Sequence, residues 1–552
     1  MSVSQIIEAL LEKRGIPQSE QAHFLHPDFD RDLHDASVMK DMPAALTRLQ
    51  TALGKQERVV IFGDYDADGV PATALLTRVL RSFGFHIIPL IPSRVHGYGL
   101  TAESLDIILS YTPSLVIAVD NGTVAQEEVS KLKSLGVDVI IIDHHDPHGE
   151  LATDALAIIN PKQPGCAYPF KELCACGLAW KVVREFALLE GKDTAALKWE
   201  LDLVALSTIA DMVPLVDENR LLVFYGLKVL QKTRNKGLKA LMQAAGIEPA
   251  QIRAGDVGFK IAPRINAPSR MHNEQVDGEN CALEIFISSD DAKLARLAAY
   301  LSRQNSERQG LVESHVAEAE RQAADLSQDL ILVVHHESWS TGVIGLVASR
   351  LVEKYKRPVI ALASEDRVIK GSVRSVDGVH ALDLLASVAD SLERFGGHAK
   401  AAGLTLKASP ELLRKGVNEY AMKQAYTIVT LRVAAERQPD CAITLAEASL
   451  ELAEAIEQLE PFGIGFPRPL FQSICLIENA RAVGSSGQHL SCFLEDGTAQ
   501  KKAIAFQRGG LEIDPGQKYH VCYTLEKETW REVTSSVCHI QAILNEDMLD
   551  NQ

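Results

Sequence analysis

Three carboxylates stand at alternate positions directly after the first long apolar run of the chain. The run RVVIF leads into GDYDADG, which holds Asp64, Asp66 and Asp68. Carboxylates this close together repel one another unless water or a cation neutralises them, and hard oxygen ligands of this kind prefer Mg²⁺ or Mn²⁺. An acidic turn before a helix would have the same sequence. The segment is therefore a candidate metal site only if further ligands join it.

Further acids and two histidines follow other apolar runs. Asp120 stands in VDNG after SLVIAV, and Asp143, His144 and His145 stand in DHHD after VDVIII. Imidazole nitrogen beside carboxylates favours a transition metal such as Mn²⁺ over Mg²⁺ alone. Asp211 lies within the apolar segment LVALSTIADMVPL, where an unpaired buried charge is costly and requires a partner. Two cations about 3.5–4 Å apart would supply that partner and could hydrolyse a phosphodiester.

The apolar runs and the segments between them predict the fold that would bring these side chains together. RVVIF, SLVIAV and VDVIII alternate with helical stretches such as PATALLTRVLRSF and AQEEVSKLKSL. Continuous apolar strands that alternate with helices indicate a parallel sheet covered on both faces. Ligands of open α/β sheets bind at the carboxyl ends of the strands. We therefore expect the acids and histidines to meet at that edge of one sheet.

The remaining pattern divides the chain into further modules. Helical stripes run through residues 1–55, and the alternating pattern of the first α/β domain covers 56–270. A stretch rich in Ala, Leu, Glu and Arg predicts a long connecting helix over 271–325. A second α/β pattern follows over 326–455, and short β-like runs over 456–552 favour a small all-β barrel. The expected class is thus α/β with a C-terminal β-barrel.

Composition limits the classes of protein and partner. The 552 residues, of which 46% are hydrophobic and 23% charged, are typical of a folded chain of several domains. The net charge of −17 means that a polyanionic partner must meet a local basic surface or a metal cluster. The nine cysteines lack a paired C-x-x-C framework, which favours reduced thiols and no cysteine zinc site. Without a signal peptide or membrane span, we expect a cytoplasmic protein.

The motifs resemble those of a known enzyme family. DYDADG, VDNG, DHH and ADMVPL, in this order and spacing, look like the DHH phosphoesterase superfamily, and GSVRS and GGHAKAAG look like its DHHA1 domain. IPSRVHGYGL, FKIAPRINAPSR, WSTGVIGLVASRL and LEPFGIGFPRP extend the likeness to the single-stranded-DNA exonucleases of that superfamily. The resemblance implies a DHH catalytic domain, a DHHA1 domain and a C-terminal OB-like barrel. Together the motifs are far more specific than any one of them.

The resemblance also implies a set of site residues and a cofactor. It implies two divalent ions, Mn²⁺ or Mg²⁺, and it gives Asp64 the role of a ligand or of a carboxylate just behind the ligands. It implies that Asp143 orients a histidine and that His145 faces the scissile phosphate as a donor, although His145 could instead be a packing residue. The implied metal ligands are Asp64, Asp66, Asp68, Asp120, His144 and Asp211.

The resemblance implies contacts with the DNA strand for a second group of residues. Arginine side chains bind phosphate oxygens bidentately, and glycines allow close approach of the backbone to a phosphate, but each could equally serve an ion pair or a turn. The implied substrate-binding residues are Arg94, Arg264, Asn266, Arg270, Arg374, Gly397 and His398.

Some positions depart from the family pattern or stay open. Ser269 replaces the usual glycine before Arg270, Phe466 replaces the usual asparagine of GxGNP, and Val70 and Pro71 begin the first helix of the catalytic domain. Ser269 puts the contact by Arg270 in question. In the barrel, four aromatic residues are either core or a stacking platform for single strands; they are Phe471, Phe493, Phe506 and Tyr523.

The resemblance implies a function and leaves alternatives. It implies a metal-dependent 5′ to 3′ exonuclease that degrades single-stranded DNA to mononucleotides in recombination and repair. The implied partners are a single-stranded-DNA-binding protein and a helicase, and the protein is expected to be a monomer with no membrane contact. One alternative is a nano-RNA or 3′-phosphoadenosine phosphodiesterase, or a cyclic-dinucleotide phosphodiesterase, on the same lobes. Another is a non-catalytic scaffold similar to the replication factor Cdc45.

Overall fold

The computed structural model describes residues 1–94, 97, 99–365, 367–428, 438–484 and 487–544. The chain divides into two compact units. One unit, here the catalytic unit, comprises 36–211 and 226–436, and the other, the barrel unit, comprises 1–35, 212–225 and 437–552. No helix in the described ranges has both the length and the apolar content that crossing a membrane requires.

Helices make up much of the described chain. In chain order they are α1 (Val3–Lys13), α2 (Gln18–Leu25), α3 (Phe29–Asp32), α4 (Met42–Gly54), α5 (Gly69–Ser82), α6 (Ala102–Ser110), α7 (Gln126–Ser134), α8 (Ala175–Leu189), α9 (Leu201–Ala210), α10 (Asp217–Leu230), α11 (Lys236–Ala244), α12 (Ala254–Asp256), α13 (Ala262–Arg270), α14 (Cys281–Ile287), α15 (Asp291–Asp325), α16 (Ile344–Tyr355), α17 (Ala381–Ala386), α18 (Pro410–Lys423) and α19 (Leu450–Glu457). A π-helical turn over Val257–Ile261 leads into α13.

The strands form three larger sheets and one short hairpin. In chain order they are β1 (Arg58–Phe62), β2 (His86–Leu90), β3 (Leu115–Val119), β4 (Asp138–Ile142), β5 (Ala157–Ile159), β6 (Gln275–Val276), β7 (Glu279–Asn280), β8 (Leu332–His336), β9 (Val359–Glu365), β10 (Val368–Arg374), β11 (Leu392–Gly397), β12 (Ala401–Leu406), β13 (Cys441–Ala442), β14 (Phe471–Val483), β15 (His489–Glu495), β16 (Gln500–Ala505), β17 (Lys518–Trp530) and β18 (Val533–Leu544).

The first sheet of the catalytic unit carries the candidate metal ligands. Its strand order is β2-β1-β3-β4-β5, and every pairing is parallel. The central strands are apolar and buried along nearly their whole length, since helices cover both faces of such a sheet. All five strands therefore end at the same edge, and the predicted parallel sheet is confirmed.

The acidic segment after β1 folds so that the backbone of Gly69 lies very close to Asp64. A side chain at Gly69, the first residue of α5, would come within 2.6–2.7 Å of Asp64, so only glycine fits there. Val70 and Pro71 lie in the first turn of α5, where proline costs little because its missing N–H would be unpaired in any case. The departure at Val70 and Pro71 thus leaves the acidic segment intact.

The second sheet of the catalytic unit is mixed. Its order is β11-β12-β10-β9-β8, with β8 and β9 parallel and the other pairs antiparallel. The connecting helix α15 spans 35 residues and is capped by Asp290. It begins at Asp291 rather than near 271, because Asp277 and Gly278, with φ of 55° and 82°, form the two-residue turn of the hairpin β6–β7. The predicted second α/β module and long helix are both present.

The barrel unit closes a sheet on itself. The strands follow the order β14-β15-β16-β18-β17, and an added pairing of β14 with β17 completes the five-stranded barrel. Its core also takes Ile6, Leu10 and Leu11 from α1 and Leu452 from α19. The helical lead-in is therefore shared between the units, since α1 packs in the barrel unit whereas α4 belongs to the catalytic unit.

Phe466 has a structural role in the barrel unit. It is buried, its ring lies 5.0 Å from that of Phe24, and the guanidinium groups of Arg14 and Arg220 lie 4.7 and 4.8 Å from its centre. Arg220 also donates to the carbonyl oxygens of Leu459 and Pro461 at 2.9 and 3.0 Å. The departure from the family's asparagine thus places an aromatic ring in contact with two guanidinium groups.

Candidate metal centre and phosphate pocket

The predicted metal ligands gather at the carboxyl edge of the first sheet. Three overlapping groups have ligand atoms that all lie within 4.8 Å of one another. They comprise Asp64 with Asp66 and Asp120, Asp68 with His144 and Asp211, and Asp120 with His144 and His145. Asp120 and His144 belong to more than one group, so the groups form one continuous cluster. All of the predicted ligands are therefore brought together.

Backbone donors fix the carboxylates of the β1–α5 segment. Asp68 accepts hydrogen bonds from the N–H groups of Ala175 and Cys176 at 2.7 and 2.9 Å. These N–H groups begin α8, whose positive end stabilises an anion. Asp66 in turn accepts from the N–H groups of Asp68 and Gly69 at 2.8 and 3.1 Å. The segment is thus a rigid ligand loop rather than a solvated turn.

His144 is the centre of the cluster. Its Nε2 lies 3.3 Å from Asp120, 3.6 Å from Asp211 and 3.7 Å from Asp68. Asp120 has the left-handed backbone conformation, with φ of 64°, which aspartate tolerates better than most residues. Asp211 lies at the end of α9, which explains the acid in an otherwise apolar segment. Carboxylates from three segments therefore surround one imidazole.

Asp143 holds His145 rather than joining the cluster. Its Oδ1 lies 2.7 Å from Nδ1 of His145 and accepts from the backbone N–H of His144 at 2.8 Å, while its Oδ2 accepts from the N–H of Thr123 at 3.2 Å. Burial alone would raise the pKa of Asp143, but the hydrogen bond and charge of His145 outweigh it and the pKa falls below its usual range. Burial likewise lowers the pKa of His145, yet Asp143 raises it to about 9.

The charges of the cluster are unbalanced without a cation. Burial, followed by repulsion from neighbouring aspartates, raises the pKa values of Asp64, Asp120 and Asp211 well above the usual range and that of Asp68 to about 6. Burial lowers the pKa of His144 to about 3, so its ring is neutral and able to act as a ligand.

One buried oxygen supports the same conclusion. Oδ1 of Asp64 is buried and has no hydrogen-bond partner among the described residues. A buried carboxylate oxygen without a donor is costly unless a cation binds it. The donor set of carboxylates and one imidazole therefore fits hard or borderline divalent ions such as Mg²⁺ and Mn²⁺.

Three of the predicted arginines line one pocket. Arg94, Arg270 and Arg374 face a cavity of about 570 Å³, together with Lys370 and Arg394. No acidic side chain is among the described residues that line this cavity. A pocket with five cationic side chains matches a phosphate group, since arginine pairs with phosphate oxygens bidentately. We call this cavity the phosphate pocket.

The pocket is connected to the metal cluster through Tyr65. The guanidinium of Arg94 lies 4.5 Å from the centre of the Tyr65 ring, and Tyr65 stands between Asp64 and Asp66 in the ligand loop. Nε of Arg94 is buried and has no hydrogen-bond partner among the described residues. The pocket thus adjoins the ligand loop and holds a buried donor that a ligand can satisfy.

Hydrogen bonds to neighbouring groups of the pocket lining hold Arg270 and Arg374 in place. Arg270 donates to the carbonyl oxygen of Gly342 at 3.4 Å, and a side chain at Gly342 would meet the Arg270 carbonyl at 2.0 Å. Arg374 donates to Oγ of Ser372 at 3.0 Å. Burial, then repulsion from Arg94, lowers the pKa of Arg270 to about 10, so its guanidinium stays charged at neutral pH.

Ser269 does not disturb Arg270. Its side chain is buried, and its hydroxyl donates to the carbonyl oxygen of Asn266 at 3.1 Å within α13. The extra polar group is therefore satisfied inside the helix, while Arg270 still lines the pocket.

The other predicted strand contacts lie outside the pocket lining. Arg264 donates to Oγ of Ser302 at 3.0 Å, and Asn266 has a buried Oδ1 with no hydrogen-bond partner among the described residues. Gly397 has φ of 145°, and a side chain there would meet the carbonyl of Ala401 at 2.4 Å. His398 follows it and is exposed, in the turn between β11 and β12.

The sequence did not identify several residues that the structure places at these sites. Lys370, Ser372 and Arg394 line the phosphate pocket but stand on strands with no spacing that marks them. Phe259 is 84% exposed in the π-helical turn before α13. That turn packs on α9, because a side chain at Gly258 would lie 3.6 Å from Ile209, two residues before Asp211. Such π-helical turns are frequent at functional sites.

The four barrel aromatics divide evenly between the two interpretations. Phe471 and Tyr523 are fully buried, and the Tyr523 hydroxyl hydrogen-bonds to Ser473 at 2.8 Å. Phe493 and Phe506 are 38% and 51% exposed. The first pair is therefore core, and only the second pair is available for stacking.

Family models match three segments of the chain. The DHH family N-terminal domain matches residues 58–208, the DHHA1 domain matches 328–423, and the RecJ OB domain matches 439–542. The first match contains the predicted metal ligands from Asp64 to His144, and the second contains Arg374 and His398.

Curated relatives and solved structures agree with these matches. The single-stranded-DNA-specific exonuclease RecJ of Bacillus subtilis is 36% identical over 96% of this chain and 66% of its own length. The RecJ of Salmonella typhimurium is 34% identical over 82% of this chain and 80% of its own length.

The crystal structure of RecJ from Thermus thermophilus in complex with Mn²⁺ matches with a TM-score of 0.81 and 29% identity, over 97% of this chain and 76% of that one. A second structure of the same protein, in complex with Mg²⁺, matches with a TM-score of 0.75 and 28% identity, over 97% of this chain and 74% of that one. The chain therefore belongs to the RecJ family of single-stranded-DNA-specific exonucleases.

Proposed function

We propose that this chain is a metal-dependent exonuclease that degrades single-stranded DNA from its 5′ end and releases mononucleotides, in DNA recombination and repair. The observation that carries the proposal is the pairing of a carboxylate and histidine cluster with an arginine pocket in the same compact unit, joined through Tyr65 and Arg94. A terminal phosphate bound in that pocket would bring a neighbouring phosphodiester to the cluster, so cleavage would proceed from the end.

Two divalent ions, Mn²⁺ or Mg²⁺, complete the proposed centre. We assign them to the cluster whose carboxylates otherwise repel one another, and in which Asp64 Oδ1 has no hydrogen-bond partner from the residues that the structure describes. When bound, such an ion pair activates water and stabilises the leaving oxygen of a phosphodiester. The proposed ligands are Asp64, Asp66, Asp68, Asp120, His144 and Asp211.

His145 and Asp143 have separate proposed roles beside the ligands. Asp143 fixes the His145 ring through the 2.7 Å contact with Nδ1, and His145 remains partly exposed while His144 is buried. We assign His145 to the scissile phosphate as a donor that stabilises the charge developing in the transition state. Asp143 then acts as a positioning residue for that donor.

A single strand would leave the pocket along a surface of polar and aromatic residues. We propose contacts to the strand by Arg264 and Asn266 of α13, by Gly397 and His398 of the second sheet, and by a base stacked on Phe259. The buried Oδ1 of Asn266, which has no hydrogen-bond partner in the described part of the chain, and the 84% exposed ring of Phe259 support these contacts, because each gains a partner when a strand binds.

The decisive test uses single strands labelled at one end. With Mn²⁺ or Mg²⁺, we expect 5′-labelled strands to release labelled mononucleotide at once and 3′-labelled strands to shorten progressively. Release of label from the 3′ end first would refute the polarity. Faster turnover of a dinucleotide than of a long strand would instead favour the nano-RNA phosphodiesterase. No turnover of either would favour the Cdc45-like scaffold, which the complete set of ligands makes the weaker alternative.

Further parts of the proposal rest on the family resemblance. We propose that the protein acts in the cytoplasm as a monomer and that a helicase and a single-stranded-DNA-binding protein supply its substrate. We also propose that the catalytic DHH domain covers residues 56–270 and that the DHHA1 domain covers residues 326–455. Light scattering of the purified chain would test the monomer, since a mass near twice 60.3 kDa would contradict it.

A further inference from the structure

A second group of metal-ligating side chains joins the two sheets of the catalytic unit. Asp146 and His148 follow β4 of the first sheet, and His398 stands in the turn between β11 and β12 of the second. Their ligand atoms all lie within 4.8 Å of one another, and the two imidazole rings are 6.0 Å apart. We call these residues the bridging triad. None of the proposed catalytic metal ligands belongs to it.

The backbone holds the bridging triad in this arrangement. The N–H of His148 donates to the carbonyl oxygen of Asp146 at 2.8 Å, which makes a tight turn and directs the two residues together. The N–H of His398 donates to the carbonyl oxygen of Ala401 at 2.7 Å and closes the turn between β11 and β12. The three side chains are exposed, so a change of rotamer can shorten the distances between their ligand atoms.

Two imidazoles and one carboxylate are a common ligand set for a transition ion. Zn²⁺ accepts such a set at about 2.0–2.2 Å from each donor and takes water in the remaining position. Imidazole ligands favour Zn²⁺ and related ions, whereas Mg²⁺ prefers oxygen alone. The chemistry of the bridging triad therefore differs from that of the carboxylate-rich catalytic cluster.

The amine of Lys162 competes with a metal ion for the carboxylate of Asp146, but it can also pair with Glu172. Lys162 Nζ lies 3.6 Å from Asp146 and 3.5 Å from Glu172. Because Lys162 can keep its pairing with Glu172, Asp146 can turn to a metal ion without leaving the amine unpaired. An exposed pair of this kind contributes little stability, so its loss is a small cost.

We propose that Asp146, His148 and His398 bind a transition ion of the Zn²⁺ class and that this ion inhibits strand degradation. The inhibition rests on the proposed function, because it arises from His398, a proposed strand contact. A bound ion would occupy the imidazole of His398 and tie the two sheets together beside His145, the neighbour of Asp146 in the chain.

Binding of Zn²⁺ is the first readout, since it requires no nuclease activity. The chain is dialysed against buffered free Zn²⁺ with Mn²⁺ present, and bound zinc is counted by mass spectrometry for wild type, His148→Asn and Asp146→Asn. We expect both variants to hold one zinc fewer per chain than wild type. His86→Asn, which removes an exposed histidine at the start of β2, should hold as much as wild type. Equal zinc in wild type and in both triad variants would overturn the proposal.

Inhibition is the second readout. Degradation of a single strand in Mn²⁺ is titrated with Zn²⁺ for the same four proteins. We expect His148→Asn to raise the half-inhibitory Zn²⁺ concentration by at least about tenfold, since losing even an outer partner of a metal ligand weakens binding by about 10- to 100-fold. Its activity in Mn²⁺ alone should equal wild type.

The two readouts separate the two proposals. If the variants lose zinc but are inhibited like wild type, the regulatory part of the inference is wrong and the site is structural. If wild type degrades no strand in Mn²⁺, the exonuclease proposal fails, while the difference in bound zinc still decides whether the bridging triad is a metal site.

Discussion

Because we propose that the pocket binds the terminal phosphate of a strand, we expect Arg374→Gln to slow the degradation of strands that carry a 5′-phosphate. Arg374 lines the phosphate pocket, and its guanidinium is positioned by Ser372 at 3.0 Å. A hydrogen bond to a charged partner contributes about 1.5–3 kcal/mol, which corresponds to about 10- to 100-fold in kcat/KM. We expect that loss on 5′-phosphorylated strands and little change on 5′-hydroxyl strands, because the lost contact requires the terminal phosphate.

The assay compares two proteins on two substrates. kcat/KM is measured for wild type and Arg374→Gln on the same oligonucleotide with and without its 5′-phosphate, so the interaction energy follows from the four values. Arg296→Gln is the matched control, since the Arg296 side chain is 65% exposed and pairs only weakly, at 3.8 Å, with Asp277. It should retain wild-type kinetics on both substrates.

Equal losses on the two substrates would refute the assignment of the pocket. Arg374 would then act on the fold or on the strand elsewhere, and the terminal phosphate would bind in a different place. Thermal unfolding of Arg374→Gln separates these cases, because the substitution also removes a hydrogen bond to the carbonyl of Val373 at 2.8 Å. An unchanged melting temperature with equal losses would mean that Arg374 contacts the DNA strand at a position other than its terminal phosphate.

Further predictions address the metal ligands, the barrel unit and the strand surface. His144→Ala or Asp120→Ala should abolish cleavage and leave the circular dichroism spectrum unchanged, and undiminished activity in either would contradict the two-metal site. Phe466→Ala should lower the free energy of unfolding by about 3–5 kcal/mol in a denaturant titration, because it removes a buried ring. Phe259→Ala should change stability by less than about 0.5 kcal/mol and weaken strand binding by about 1–3 kcal/mol; unchanged affinity would exclude stacking. Arg264→Gln should reduce the slope of log affinity against log salt by about 0.7, and an unchanged slope would mean that Arg264 contacts no phosphate.

The metal cluster was predictable because parallel strands end at a common edge. RVVIF, SLVIAV and VDVIII read as buried strands, and the residues that follow each run meet where the topology requires. Asp211 was found by a different signal, an acid in an apolar segment, and the structure places it at the end of α9. The ligands after the strands thus follow from local pattern and one rule of sheet topology, and Asp211 follows from local pattern alone.

The phosphate pocket could be predicted only in part. Arg264 and Arg270 belong to one motif, yet they stand six positions apart in α13 and so differ by about 120° around the helix axis. They therefore face different surroundings. Only Arg270 lines the pocket. Lys370 and Arg394 enter it from β10 and β11 because those strands pack beside β12, and no spacing in the sequence reports that pairing.

Tertiary packing also decided the parts of the fold that the sequence pattern missed. Helical periodicity over residues 1–55 predicts helices but not that α1 joins the barrel core while α4 joins the catalytic unit. The helix-forming composition of 271–325 concealed the hairpin β6–β7, which depends on positive φ at Asp277 and Gly278. In the first case contacts between residues distant in sequence decided the packing. In the second case a single turn outweighed the helical preference of the local sequence.

The most direct test of the two-metal centre is anomalous diffraction at the manganese edge from crystals of this chain grown with Mn²⁺. We expect two peaks about 3.5–4 Å apart, enclosed by the carboxylates after β1 and β3, His144 and Asp211. A single peak elsewhere in the chain, or none at this edge of the sheet in crystals of active protein, would contradict the account.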